Sequence, residues 1–177
     1  MRCLPIVTVL ALAVCLSACA HKPPITGRPA ATQRTNAQGI ALIKEAEGLR
    51  LKPYRENNHW LVGYGHLLAA RPPAAISQAQ AESYLREDLA DCEAAISRCV
   101  RVPVTSNEFS AMASLCYTVG TAAFAQSTLV DRLNAGDRKG AANQFLVWTK
   151  GTVKGAKTHL SHLADRRKKE RALFLAP

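Results

Sequence analysis

Acidic residues are scarce in this chain: 13 Asp and Glu stand against 23 Lys and Arg, a formal net charge of +10 at pH 7. That imbalance favours an anionic partner, whether nucleic acid, a membrane surface or an acidic cell wall. Aromatic residues are also few, at 6%, while alanine is abundant, a balance that favours helix over sheet. The uncharged apolar run from Leu4 to Leu16 falls short of the roughly 20 residues that a spanning helix wants. No internal repeat is visible. His59, His159 and His162 show no metal-ligand spacing with the cysteines, so no metal and no cofactor is expected. What remains, 177 residues with 48% hydrophobic and 20% charged, is the composition of one globular domain with a short tail.

The first eighteen residues read as a secretory signal, with Arg2 as its positive start and Leu4 to Leu16 as its apolar stretch. Leu16-Ser17-Ala18-Cys19 resembles the bacterial lipobox at all four positions. That resemblance implies lipidation of Cys19 and cleavage before it, and several acyl chains anchor stably where one does not. Ala20 follows the cysteine where an aspartate would mark inner-membrane retention. The expected location is therefore the outer membrane, facing the periplasm. Residues 19–34, rich in proline and without apolar periodicity, read as a lipidated cysteine and tether, and residues 35–177 as the domain.

Export leaves Cys92, Cys99 and Cys116 in an oxidising compartment, so at most one bridge forms. Cys92 and Cys99 are two helical turns apart, about 10 Å in a regular helix and too far to pair without a bend. Cys116 is a buried thiol or a partner for either, and the pairing stays open.

Within the domain, Thr35 and Gln38 have capping-box spacing ahead of a short helix that ends at Glu47-Gly48. Breakers at Pro53, Asn57, Asn58, Gly63 and Gly65 then predict a hairpin turning at Asn57-Asn58. Ser77 with Gln80 opens an amphipathic helix carrying Ala81, Leu85, Leu89, Cys92 and Ile96. Thr105 with Glu108 opens a nearly all-apolar helix, the expected buried centre, which Gly120 ends. Further helices are expected from about Ser127 to Asn134, after Asp137, and from Leu160 to Leu175. The expectation is an α+β domain dominated by about seven helices, with one small hairpin.

The informative stretch is Glu47 to His66, EGLRLKPYRENNHWLVGYGH. A carboxylate at a helix C-terminus meets the negative end of the dipole and, partly buried, keeps its proton to higher pH, as a general acid must. Glu56 lies nine residues on, in the hairpin. Two carboxyls roughly 6.5–9.5 Å apart leave room for a water and invert the sugar centre. Spacing alone does not separate such a pair from two solvated surface glutamates.

Glu47-Gly48, Tyr54 and Gly63-Tyr64-Gly65-His66 resemble the catalytic segment of the phage-type lysozymes, glycoside hydrolase family 24. The similarity continues through VTSNEFSAMASLCYTVGTAAFAQSTLVDRLNAGDRKGAANQFLVW and LADRRKKERALF, covering roughly residues 36 to 175. It implies a lysozyme-like fold, a muramidase acting on peptidoglycan as a monomer, and sugar contacts at Leu67, Tyr117 and Thr128. The match departs from the family where water is handled. The family's catalytic Asp falls on Glu56, and its Thr falls on Leu61, which cannot hydrogen-bond through its side chain. Thr118 and His159-Leu160 also replace usual family residues.

Three readings of the activity follow: a muramidase with Glu47 as acid and Glu56 as base, a single-acid lytic transglycosylase, and a non-catalytic wall-binding lipoprotein. His66 reads as a structural hydrogen-bonding residue. Arg166-Arg167-Lys168-Lys169 reads as a solvated helix face and not a nucleic-acid site, since export takes the chain away from DNA.

Overall fold

A computed structural model describes residues 33–177 apart from 57, 70, 71, 154 and 155. The signal segment, Cys19 and the tether up to residue 32 lie outside the described residues. The last two residues read as tether touch the domain: Gln33 donates to the Val104 carbonyl, and Arg34 pairs with Glu93.

The chain opens with α1 (Ala37–Glu47), followed by β1 (Arg50–Glu56), β2 (His59–Gly63) and β3 (His66–Leu68). Helices α2 (Gln78–Cys99), α3 (Ser106–Val119), α4 (Thr121–Ala125), α5 (Thr128–Asn134) and α6 (Arg138–Gln144) come next. A 3-10 turn (Phe145–Val147), the strands β4 (Lys150–Val153) and β5 (Ala156–His159), and α7 (Ser161–Leu175) complete the fold. The expected α+β class, mostly helical with a small sheet lobe, is what the structure has.

The central helix is α3. Its residues Glu108 to Cys116 are all buried, and α1, α2 and α7 pack around it. Phe109, Met112 and Leu115 join Leu85, Leu89, Leu129 and Phe145 in one core. Burying each such side chain contributes roughly 1.5–3 kcal/mol. Gly39 allows α1 to lie close against α3, because a Cβ there would sit 2.7 Å from Ser110 Cβ.

The capping boxes at Ser77 with Gln80 and Thr105 with Glu108 both form. The box expected at Thr35 and Gln38 does not. Asn36 caps α1 instead, accepting from Gly39 N–H, because the Thr35 hydroxyl and N–H both turn to Glu93 Oε1 at 2.9 and 2.8 Å. A tertiary carboxylate outcompetes the local cap.

The hairpin turns where expected. Glu56 pairs with His59 across a two-residue connection, with Asn58 in the left-handed region at φ 65°. Two features were not foreseen. β3 adds a third antiparallel strand, and β4 with β5 forms a second hairpin. KGTV and AKTH carry almost no alternating apolar signal from which to read a strand. The other correction concerns α7, where Arg166 and Arg167 are buried and only Lys168 and Lys169 form the solvated face.

Asn36→Ala is expected to lower unfolding free energy by about 1–2 kcal/mol. Gln38→Ala, on an exposed side chain, should change it by less than about 0.5 kcal/mol. Urea denaturation checks both.

Candidate active site

Glu47 is the last residue of α1. The helix stops because Gly48 takes φ 69°, a conformation that costs a Cβ-bearing residue, while its N–H closes on the Lys44 carbonyl. The side chain is thereby set at an edge between α1 and the sheet. Arg166 Nη1 donates to Glu47 Oε1 at 2.6 Å, and the carboxyl side chain stays 26% exposed. The other oxygen, Oε2, faces the Tyr64-Gly65 turn: a Cβ placed on Gly65 would lie 3.9 Å from it.

Arg166 is itself fixed from behind. Its Nε donates to Glu170 Oε1 at 3.1 Å, and its Nη2 to the Ser114 carbonyl at 3.2 Å. The Ser114 hydroxyl donates to the same Glu170 oxygen at 2.7 Å, and Arg167 takes the other oxygen. Glu170 is fully buried. Its charge survives there because two guanidiniums and a hydroxyl satisfy it. Sequence reading placed only a helix terminus against Glu47; the structure adds a guanidinium on the same carboxyl. The available signal was Ser114, a hydroxyl inside an apolar helix, together with the i, i+4 spacing of Arg166 and Glu170.

The sheet supplies the opposite wall. Directly paired residues share a face, so Tyr54, Leu61 and Leu67 stand on one side and Arg55, Trp60 and Leu68 on the other. The second side turns to α2, where Val62 is fully buried. The first side, by alternation, also carries Glu56 and His59. Burial pushes the Tyr54 phenol up, Arg50 pulls it down, and the charges of Glu56 and Glu47 both push it up again. Tyr54 therefore stands within electrostatic reach of both carboxylates. Glu56 itself is exposed at the strand end.

The sheet lobe is pinned to the helical body by a polar joint. His66 Nδ1 meets Asp88 at 2.9 Å, and its ring stacks on Tyr84 with centroids 4.1 Å apart. The Tyr117 hydroxyl donates to the Tyr64 carbonyl at 2.8 Å. Burial, then the charges of Asp88 and Glu47, push its phenol well up.

The remaining expected sugar contacts separate. Leu67 is 55% exposed, on the same side of the sheet as Tyr54 and Leu61. Tyr117 acts as a joint residue, and Thr128 is exposed at the start of α5, without a side-chain hydrogen bond among the described residues. A cavity of about 290 Å³ between α1 and α7, bordered by Leu42, Glu45, His162 and Lys169, lies beside Arg166 and has no sheet residue in its lining. Cys92, Cys99 and Cys116 are all free thiols. Among the described residues no group of three or more His, Cys, Asp or Glu is placed to hold a metal.

Residues 44–170 match the family model described as "Phage lysozyme". The chain belongs to the phage lysozyme family. An endolysin of Acyrthosiphon pisum secondary endosymbiont phage 1 is 44% identical over 138 residues, covering 77% of this chain and 94% of that protein. The muramidase domain of SpmX from Asticaccaulis excentricus is 36% identical with a TM-score of 0.77, covering 82% of this chain and 99% of that one. The endolysin from Escherichia coli O157:H7 phage FAHEc1 is 35% identical with a TM-score of 0.74, covering 80% and 93%. The protein is thus a lysozyme-type hydrolase, a peptidoglycan-degrading member of this family.

Arg166→Ala should destabilise the domain by about 3 kcal/mol, because it removes one of the two guanidiniums that satisfy the buried charge of Glu170 and leaves Glu47 without its partner; urea denaturation reads this. The raised Tyr117 phenol gives a pH prediction. Its stabilisation is fully present below the ordinary tyrosine value of about 10 and is lost as pH rises toward the folded-state value. Alkaline thermal melts should therefore fall more steeply for the wild type than for Tyr117→Phe.

Proposed function

We propose that the protein is a muramidase cleaving the β-1,4 bond between N-acetylmuramic acid and N-acetylglucosamine, with Glu47 as general acid and Glu56 as base. The observation that carries this reading is Glu47 itself: one oxygen is held by Arg166, and the other is turned to the sheet lobe. A sugar chain lying against Leu67 and the Tyr54 side of the sheet would bring its glycosidic oxygen to the free oxygen of Glu47. The proton moves from Glu47 to that oxygen, and the C1–O4 bond breaks. Water attacks C1 from the far face while passing its proton to Glu56, leaving a reducing muramic acid end.

One feature favours a second reading. Leu61 stands between Tyr54 and Leu67 in the pairing of the sheet, so an apolar side chain occupies the centre of the wall that would hold the water. In a single-acid enzyme the 6-hydroxyl of muramic acid attacks C1 instead, and a 1,6-anhydro end results. The two routes share Glu47 and differ in the product.

The attachment we infer is lipid at Cys19, with the domain from residue 35 facing the periplasm from the outer membrane. The lipobox residues support it, and Cys19→Ser should release the chain from the membrane fraction.

Digestion of purified peptidoglycan, with muropeptides read by mass spectrometry, tests the chemistry. Glu47→Gln should lose at least about a hundredfold in rate at unchanged stability. Glu56→Gln should lose a similar factor if the ends are reducing, and little if they are anhydro. Equal release by Glu47→Gln and wild type would remove Glu47 from the chemistry.

A further inference from the structure

The sheet carries a guanidinium that the fold leaves uncommitted. Strand β1 holds three cations, Arg50, Lys52 and Arg55, all exposed. Two of them lie on aromatic rings. The Arg50 guanidinium carbon stands 4.3 Å from the Tyr54 ring centroid, and that of Arg55 stands 5.6 Å from the Trp60 centroid. Stacking occupies the flat face of a guanidinium and leaves its N–H edge open. Arg132, Arg138, Arg166 and Arg167 all reach carboxylates, whereas Arg50 has no ion pair or side-chain hydrogen bond among the described residues.

The two stacks lie on opposite sides of the strand. Tyr54 pairs with Leu61, and its neighbour Arg55 pairs with Trp60. Arg50, laid on Tyr54, therefore belongs to the side that bears Leu61 and Leu67, and Arg55 to the other. Arg50 also stands at the end of β1 nearest the acid. It follows Glu47 by three residues and pairs with Gly63, directly before the Tyr64-Gly65 turn that Glu47 Oε2 faces. Arg50 lowers the Tyr54 phenol, while Glu56 and Glu47 raise it, so three charges converge on this one ring.

A guanidinium held by its face, open along its edge and close to the acid, matches a planar carboxylate on the substrate. The N-acetylated sugars of the wall carry no charge. The carboxylates of peptidoglycan belong to the stem peptides, which hang from the lactyl group of each muramic acid. We propose that Arg50, seated on Tyr54, binds a stem-peptide carboxylate and gives the enzyme its preference for peptide-bearing strands. The inference rests on the muramidase reading above. Because the carboxylate is remote from the breaking bond, the contact holds ground state and transition state alike. Its loss therefore raises KM and leaves kcat nearly unchanged.

The test uses the full chain on two kinds of sacculi. One is untreated; in the other the stem carboxyls have been converted to amides with carbodiimide and excess ammonium. The preference is the apparent KM on amidated sacculi divided by that on untreated sacculi. Arg50→Ala should lower this ratio about fivefold, the upper range for an exposed ion pair, with kcat changed by less than about twofold. Arg55→Ala removes the same charge from the other side of the same strand and should lower the ratio by less than about twofold. Tyr54→Leu should copy Arg50→Ala, while Tyr54→Phe keeps the ring and the preference. A poorly folded variant loses both substrates equally, so the ratio separates this contact from instability. Sedimentation of the Glu47→Gln protein with the same sacculi reads the preference without turnover. Arg50-dependent binding beside a wild type that cleaves nothing would sink the muramidase reading and leave this contact standing. An undiminished preference in Arg50→Ala would overturn the proposal. Equal losses in Arg50→Ala and Arg55→Ala would overturn it too, since diffuse positive charge would then suffice.

Discussion

The structure turns on one buried carboxylate. Glu170 lies without solvent inside the helical body, and it persists there because Arg166, Arg167 and the Ser114 hydroxyl surround it. A buried charge is tolerable only when its partners are held at fixed geometry. Holding them has a consequence at the surface. With Nε and Nη2 occupied inside, Arg166 has its Nη1 directed outward, onto Glu47. The interior electrostatics of α3 and α7 thus set the position of a side chain at the end of α1.

The sheet lobe meets this fixed point through a second joint. His66, Asp88, Tyr84 and Tyr117 bind the Tyr64-Gly65 turn to α2 and α3. The wall bearing Tyr54, Leu61 and Leu67 is then presented to Glu47 at a distance that the helical body decides. Two polar clusters, one on each side of α3, define the geometry of the site, while the apolar core between them keeps α3 in place.

Much of this was legible in the sequence. The boxes at Ser77 with Gln80 and Thr105 with Glu108, the apolar run of α3 and the Glu47-Gly48 stop are local signals, and local physics fixed them. The misreadings came where a distant partner intervened. Thr35 lost its cap role to Glu93, which lies 58 residues away. Arg166 and Arg167 looked like part of a solvated basic run because neither Ser114 nor Glu47 is near them in the chain. The second hairpin escaped because its strands are polar. Glu47 was readable from its helix end and from family resemblance, whereas its arginine partner became visible only with three-dimensional contacts.

Arg166 positions the acid through its Nη1 and does more than fill the core. Arg166→Lys keeps the charge but lacks the planar fork that serves Glu47, Glu170 and Ser114 together. The decisive measurement is its steady-state cleavage of peptidoglycan, made where urea denaturation finds the protein fully folded. In that protein kcat should fall by about a hundredfold while KM changes by less than about threefold, as expected when an acid is displaced by an ångström. Wild-type kcat in the folded Arg166→Lys protein would mean that the arginine only fills the core and does not position Glu47.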